Sequence, residues 1–362
     1  MDNTKFLHIG DIHFDSKLIG LDEQKRNIRQ YETFETLKRV LNENSDCDFV
    51  FFTGDIFDGE YNKSTVIKLC KLFEQYSEKQ FFISLGNHDY LLCDTAKNLI
   101  STMPKNVHVF SDKITCFEYE TYGLRIYGCS FSTPHVHSSL IENFKAKKDN
   151  LVNIMLLHGD VSGVGSYNPI NTKDISDSNL DYLALGHKHV FSEIMQINKT
   201  RYAYPGILEP RGFDECGICG VIKGNIINGQ IELEFLPANA RCYEIIDFDV
   251  TNIATENELI EKLNAFLDKN NLYRINLVGT KCEELEINID FLETIVDVFY
   301  CEIFDSTSND VDIFMYSKEN SLRGKTAQIL QEYIENNIFN DISLQENVIK
   351  ILTELLCKDG ND

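Results

Sequence analysis

The segment Phe6-Leu7-His8-Ile9-Gly10-Asp11-Ile12-His13 is a short apolar run that stops at a glycine and passes directly into two metal-type ligands, Asp11 and His13. The pattern recurs along the chain. Residues 49–53 lead into Gly54-Asp55-Ile56-Phe57-Asp58, and residues 81–85 into Gly86-Asn87-His88-Asp89. Residues 154–157 lead into His158-Gly159-Asp160, and residues 183–185 into Gly186-His187-Lys188-His189. Runs of this length bounded by glycine read as buried strands. In an open α/β sheet, ligands bind beyond the carboxyl ends of the strands, so these five ends are expected to converge. The glycines at 54, 86, 159 and 186 let the backbone turn sharply there.

Between the first two runs, residues 24–44 read as a helix, with Ile28, Tyr31, Phe34, Leu37 and Leu41 assigned to one face. Strand–helix–strand alternation over residues 1–240 predicts a layered α/β fold, with antiparallel strands where later connections shorten. Near Pro237 the texture changes. Residues 241–320 read as a small α+β domain: a strand from Tyr243, a helix over 256–270, strands over 273–279 and 312–316, and a further helix between these strands. Residues 321–362 read as two helices, the second opening with the capping box Ser343-x-x-Glu346.

Composition narrows the class. The 362 residues are 43% hydrophobic and 25% charged, a globular balance with ample length for a core. No stretch is apolar for the ~18 residues a membrane helix needs. The N-terminal residues lack the basic and apolar regions of a secretion signal, and the eleven scattered cysteines read as reduced thiols in a cytoplasmic protein. Net charge is −23, of which −15 falls from Arg241 onward. So acidic a chain is a poor nonspecific binder of nucleic acid, because phosphates need neutralising cations.

Asp11, His13, Asp55, Asn87, His158, His187 and His189 offer four imidazoles and three oxygen donors, more than one ion requires. The set suits two divalent ions sharing a carboxylate, and its mixed N/O character favours Mn, Fe or Zn over Mg or Ca. Five of the nine histidines lie in these motifs. That concentration argues for a metal role over five independent structural histidines.

Together, Asp11-x-His13, Gly54-Asp55-x-x-Asp58, Gly86-Asn87-His88-Asp89, His158 and Gly186-His187-x-His189 resemble the calcineurin-like metallophosphoesterases over about residues 4–240. The resemblance implies a four-layer α/β/β/α sandwich, with Asp11, His13 and His189 on one metal, Asn87, His158 and His187 on a second, and Asp55 bridging. Gly59, Tyr204-Pro205-Gly206 and Arg211-Gly-Phe-Asp214-Glu215 further resemble the DNA repair exonuclease branch, which holds SbcD-type and YhaO-type nuclease subunits. That branch implies Mn²⁺, a capping domain, a helical tail docking an SMC-like (SbcC/YhaN-type) ATPase, and homodimerisation.

The expected chemistry is in-line hydrolysis of a DNA phosphodiester by a hydroxide held between the metals. His88 is assigned as general acid or transition-state stabiliser, oriented by Asp58 or Asp89. Lys17, Lys25, Arg26 and Arg29 form a basic cluster that is either a solvated helix face or a phosphate-binding edge. His135 and His137, in Thr133-Pro-His-Val-His, either face the substrate or are simply surface residues, the surface being favoured, and Cys216-Gly-Ile-Cys219 reads as a turn and not a zinc site. The apolar faces of the two C-terminal helices either pack on their own domain or bind the partner. Two other readings are a phosphodiesterase for a small molecule or cyclic nucleotide, and a non-catalytic scaffold.

Overall fold

The apolar runs become strands buried on both faces. The structure, a computed structural model, describes residues 3–59, 62–282, 285–309, 313–339 and 341–356. The chain divides into two units, Met1–Cys242 and Tyr243–Asp362.

In the first unit, one six-stranded sheet is built from β1 (Thr4–Ile9), β2 (Phe49–Phe52), β3 (Gln80–Ile83) and β4 (Val107–Val109), with two later strands, Gly220–Ile227 and Gln230–Pro237, on its other edge. The four early strands run parallel, and Gly220–Ile227 pairs antiparallel with β1. The second sheet contains β5 (Thr115–Tyr119), β6 (Leu124–Gly128), β7 (Val152–His158), β8 (Tyr182–Gly186), β9 (Met195–Ile197) and β10 (Thr200–Ala203), in the order β5-β6-β7-β8-β10-β9. β6, β7, β8 and β10 are parallel, with an antiparallel strand at each edge.

Side chains alternate between two cores because successive strand residues point to opposite faces. Phe6, Phe49, Phe51 and Phe82 meet Ile154, Leu156, Tyr182 and Ala184 between the sheets. Leu7, Val50, Phe52 and Phe81 pack instead with residues of α1 (Glu23–Glu43), α2 (Lys63–Gln75) and α3 (Asp94–Thr102). Met155, Leu157, Leu183 and Leu185 line the outer core of the second sheet, beside α4 (Thr172–Asp177). The result is the expected sandwich. His8 joins its sheets, with Nδ1 2.8 Å from the Tyr182 hydroxyl and Nε2 3.1 Å from Thr53 Oγ1.

The face expected for α1 needs correction. Asp22 caps the helix through the Lys25 amide at 2.8 Å. Leu37, Val40 and Leu41 are buried, but Ile28 and Tyr31 are exposed. Each step of three residues falls about 60° short of a full turn, so three such steps carry Ile28 to the side opposite Leu37. The inward positions before Leu37 are held by Arg29 and Thr36.

In the second unit, strands Tyr243–Asp249, Leu272–Val278 and Tyr300–Asp305 form a parallel sheet. Helices Glu256–Phe266 and Ile289–Ile295 pack against it through Leu259, Leu263 and Leu292. The strand expected at 312–316 is absent: Asp312 lies outside the described residues, and Ile313–Lys318 is a 3₁₀ helix. The third strand is Tyr300–Asp305. Helices Leu322–Glu335 and Ile342–Leu356 follow within this unit, the second capped by Asp341, which accepts the Ser343 amide at 2.9 Å, rather than by Ser343. Among the described residues, no helix is long and apolar enough to cross a membrane.

Candidate metal centre

The ends of β1, β2, β3, β7 and β8 meet at one edge of the sandwich. Backbone bonds tie the loops together: the Ile12 and His13 amides both donate to the Asp55 carbonyl at 3.1 and 3.0 Å, and the Leu208 amide donates to the Asp11 carbonyl at 2.9 Å. Three of the expected ligands hold left-handed backbone, His13 at φ 52°, Asp55 at 50° and His187 at 107°. Such conformations are costly in residues with a Cβ and persist where surrounding structure holds them. Gly54 sits where a side chain would not fit, since a Cβ there would lie 2.5 Å from His158 Nδ1. A Cβ on Gly86 would strike the Asp55 carboxylate.

Two donor groups result. In the first, His13 Nε2 and His189 Nε2 stand 3.2 Å apart, and Asp11 Oδ1 lies 3.9 and 3.7 Å from them. In the second, His158 Nε2 lies 3.4 Å from Asp55 Oδ2 and 2.9 Å from Asn87 Oδ1. Asp55 Oδ2 faces both groups, being 3.9 Å from His13 Nε2. Asp11, Asp55 and His158 themselves form a cluster of possible cation donors. His187 is brought to the same edge: its ring centroid is 5.1 Å from that of His158, and its amide donates to Asp11 Oδ2 at 3.0 Å.

The donors fit a cation on chemical grounds. Burial drives Asp11 up to about 6 and, with the charges of Asp89 and Asp11 nearby, raises Asp55 well above the usual carboxylate range. Burial lowers His13 to about 3 and takes His158 well below its ordinary value, leaving both as neutral imidazoles with free lone pairs. Desolvated carboxylates facing neutral imidazoles at these separations form the kind of site that a divalent cation stabilises.

Around the donors stand residues the motif reading left without a role. Burial alone would lower His189, but Glu215 Oε1, 2.6 Å from its Nδ1, reverses the shift and raises it. Glu215 is itself buried, which would raise it, but its bond with His189 and those from the Arg211 amide at 2.7 Å and Arg211 Nη2 at 2.6 Å outweigh burial and hold it at about 2. With Nδ1 turned to Glu215, His189 presents Nε2 to the donor group. The signal lay in Arg211-Gly-Phe-Asp214-Glu215, but nothing local linked it to His189.

His88 is the exposed member of the site, with Nδ1 3.1 Å from Asp58 Oδ1. Asp58 also lies 3.3 Å from His13 Nδ1, and these two imidazoles hold it well below the usual carboxylate range. Asp89 does not orient His88. It is fully buried and accepts the amides of Gly86, Ile56 and Asp55 at 2.7, 2.8 and 3.3 Å, stapling two ligand loops.

The basic cluster separates into unlike parts. Lys17 is exposed, and half-buried Lys25 pairs with Asp22 at 3.2 Å. Arg26 is half-buried and donates to the Leu21 carbonyl at 2.9 Å. Arg29 is 1% exposed and bonded to Glu32 at 2.6 Å and Glu209 at 2.9 Å, so it offers nothing to a phosphate. His135 and His137 are exposed. Cys216 is exposed and Cys219 buried, and no cysteine joins a group of possible metal donors among the described residues.

Comparisons with known proteins bear on this geometry. A Bacillus subtilis (strain 168) protein described as the uncharacterized metallophosphoesterase YhaO is 28% identical over 285 residues, 74% of this chain and 69% of its own length. Among solved structures, TT1561 of Thermus thermophilus aligns at 10% identity with a TM-score of 0.39, over 65% of this chain and 99% of its own. The profile of the calcineurin-like phosphoesterases matches residues 4–191, more than half of the chain and the span holding every expected metal ligand. This chain belongs to the calcineurin-like phosphoesterase family.

Proposed function

We propose that this protein is a two-metal phosphodiesterase that cleaves DNA. The observation carrying the proposal is the convergence of buried Asp11, His13, Asp55 and His158 with half-buried Asn87, His187 and His189, beside an exposed His88. Asp11, His13 and His189 would hold one cation and Asn87, His158 and His187 the other, with Asp55 shared. Divalent cations, most simply Mn²⁺, supply charge neutralisation at the phosphoryl oxygens and acidify water.

The chain's own residues do the remainder. His88, open to solvent, reaches the leaving oxygen and delivers a proton, while Asp58 fixes its ring through Nδ1. Glu215, itself held by Arg211, accepts from His189 Nδ1 and keeps His189 in one tautomer. DNA is the preferred substrate because Gly59, Tyr204-Pro205-Gly206 and Arg211 to Glu215 match the exonuclease branch, and because a second unit follows the phosphoesterase fold. Leu344, Ile351 and Leu355 on the last helix stay exposed, and we assign this apolar face to the helical root of an SMC-like ATPase.

The charge balance favours a second reading. With −23 overall and Arg29 internal, the surface beside the metals is less basic than a DNA groove requires, which would suit a small phosphodiester. Degradation of end-labelled linear DNA with Mn²⁺, compared between wild type and Asp55→Ala, separates the two. Loss of degradation in the variant supports the DNA reading. Intact single- and double-stranded DNA, together with cleavage of a chromogenic phosphodiester, supports the second.

A further inference from the structure

Beyond the metal donors, a line of aromatic rings runs from the centre into solvent. The His187 ring, 5.1 Å from His158, is also 5.0 Å from the Tyr167 ring. Tyr167 is in turn 5.4 Å from His135, and His135 is 6.1 Å from His137 at an interplanar angle of 25°. Tyr167 is half-buried, whereas His135 and His137 are exposed. Planar side chains grouped in solvent present π faces to a planar ligand.

The group is held in place by the ligand loop itself. Asn168 is fully buried at φ 49°, donates from Nδ2 to the His158 carbonyl at 2.8 Å and accepts the Leu140 amide on Oδ1 at 2.7 Å. Its own amide donates to the Val136 carbonyl at 2.7 Å, and the Val136 amide donates to the Ser166 carbonyl at 2.9 Å. Asn168 thus ties its neighbour Tyr167 to the residue that ends β7 through its side chain, and to the segment bearing His135 through its backbone amide. A recognition surface built this way loses little entropy on binding.

Resting on the phosphodiesterase reading above, we propose that Tyr167 and His135 form a stacking face for the nucleobase of the nucleotide that carries the scissile phosphate. The site would then select nucleotide phosphodiesters over esters lacking a base. Stacking on an aromatic side chain tolerates any base, as a nuclease without sequence preference requires. Of the two readings open for His135 from the sequence, this takes the substrate-facing one over the ordinary surface residue.

The test compares kcat/KM for thymidine 3′- and 5′-(p-nitrophenyl phosphate) with that for methyl p-nitrophenyl phosphate, which has the same leaving group and no base. Wild type is expected to favour one thymidine ester at least about fivefold, the lower end for one stacked base. His135→Ala and Tyr167→Leu should pull that ratio toward one, and Tyr167→Phe should keep it. A wild-type ratio of one, or variants in which both substrates fall alike, would overturn the proposal. The outcome is independent of the DNA reading. Intact DNA with a preserved thymidine preference sinks that reading alone, and DNA degradation with a ratio of one sinks the stacking face alone.

Discussion

Arg29 tests whether the basic cluster serves stability or substrate. Its guanidinium is 1% exposed and bonds Glu32, Glu209 and the Pro210 carbonyl at 2.6, 2.9 and 3.0 Å. Glu209, also 1% exposed, accepts the Thr36 hydroxyl at 2.5 Å and the Ala240 amide at 2.6 Å. Arg29→Met removes the cation and leaves the Glu209 carboxylate buried without a counter-charge. Breaking such a pair costs about 3–5 kcal/mol. For a unit ending at Cys242 that corresponds to a fall in Tm of about 6–20 °C. Adding Glu209→Gln removes the stranded charge and keeps an acceptor for Thr36 and Ala240, so the double variant should regain about half of the loss. Thermal unfolding of the wild type and the two variants, followed by circular dichroism, measures both steps. An Arg29→Met protein that melts with wild type but binds DNA more weakly would refute this reasoning and restore Arg29 to the phosphate-binding edge.

Three further outcomes are expected. Glu215→Gln weakens the carboxylate's hold on His189 and should lower Mn²⁺ affinity about 10–100-fold by titration calorimetry; unchanged affinity would separate Glu215 from the metal. His88→Ala should lower kcat about 10²–10⁴-fold on a phosphodiester while metal content by elemental analysis stays at the wild-type level. Retained turnover would remove His88 as the acid. His8, fully buried, is lowered by desolvation to about 3, so the folded chain keeps it neutral while the unfolded chain protonates below about 6.5. The stability it contributes is full above pH 6.5 and declines toward pH 3, by about 1.4 kcal/mol at pH 5.5. Urea denaturation at pH 7.5 and 5.5 should show the gap between wild type and His8→Gln narrowing by that amount, and a constant gap would contradict it.

The sequence by itself determined the five strands that lead into the donor loops and the residues at their ends. Doubly buried strands require unbroken apolar runs, and the turns after them require Gly54 and Gly86, so both signals are local and survive without coordinates. The order and pairing of the parallel strands in each sheet came only with the structure, since pairing joins segments far apart in the chain. The same holds for individual roles. Arg29 looked like a surface cation until Glu209, 180 residues away, was seen to enclose it. Asp58 and Asp89 were equivalent candidates beside His88 until the backbone placed Asp89 under three amides. Glu215 and Asn168 carried no periodicity or ligand spacing, and they matter because folding sets one against His189 and the other against the His158 carbonyl. Residue type and local spacing announce which atoms are able to bind a metal. The partners that set their charge, tautomer and reach are chosen by tertiary contact, whose sequence separations no local pattern encodes.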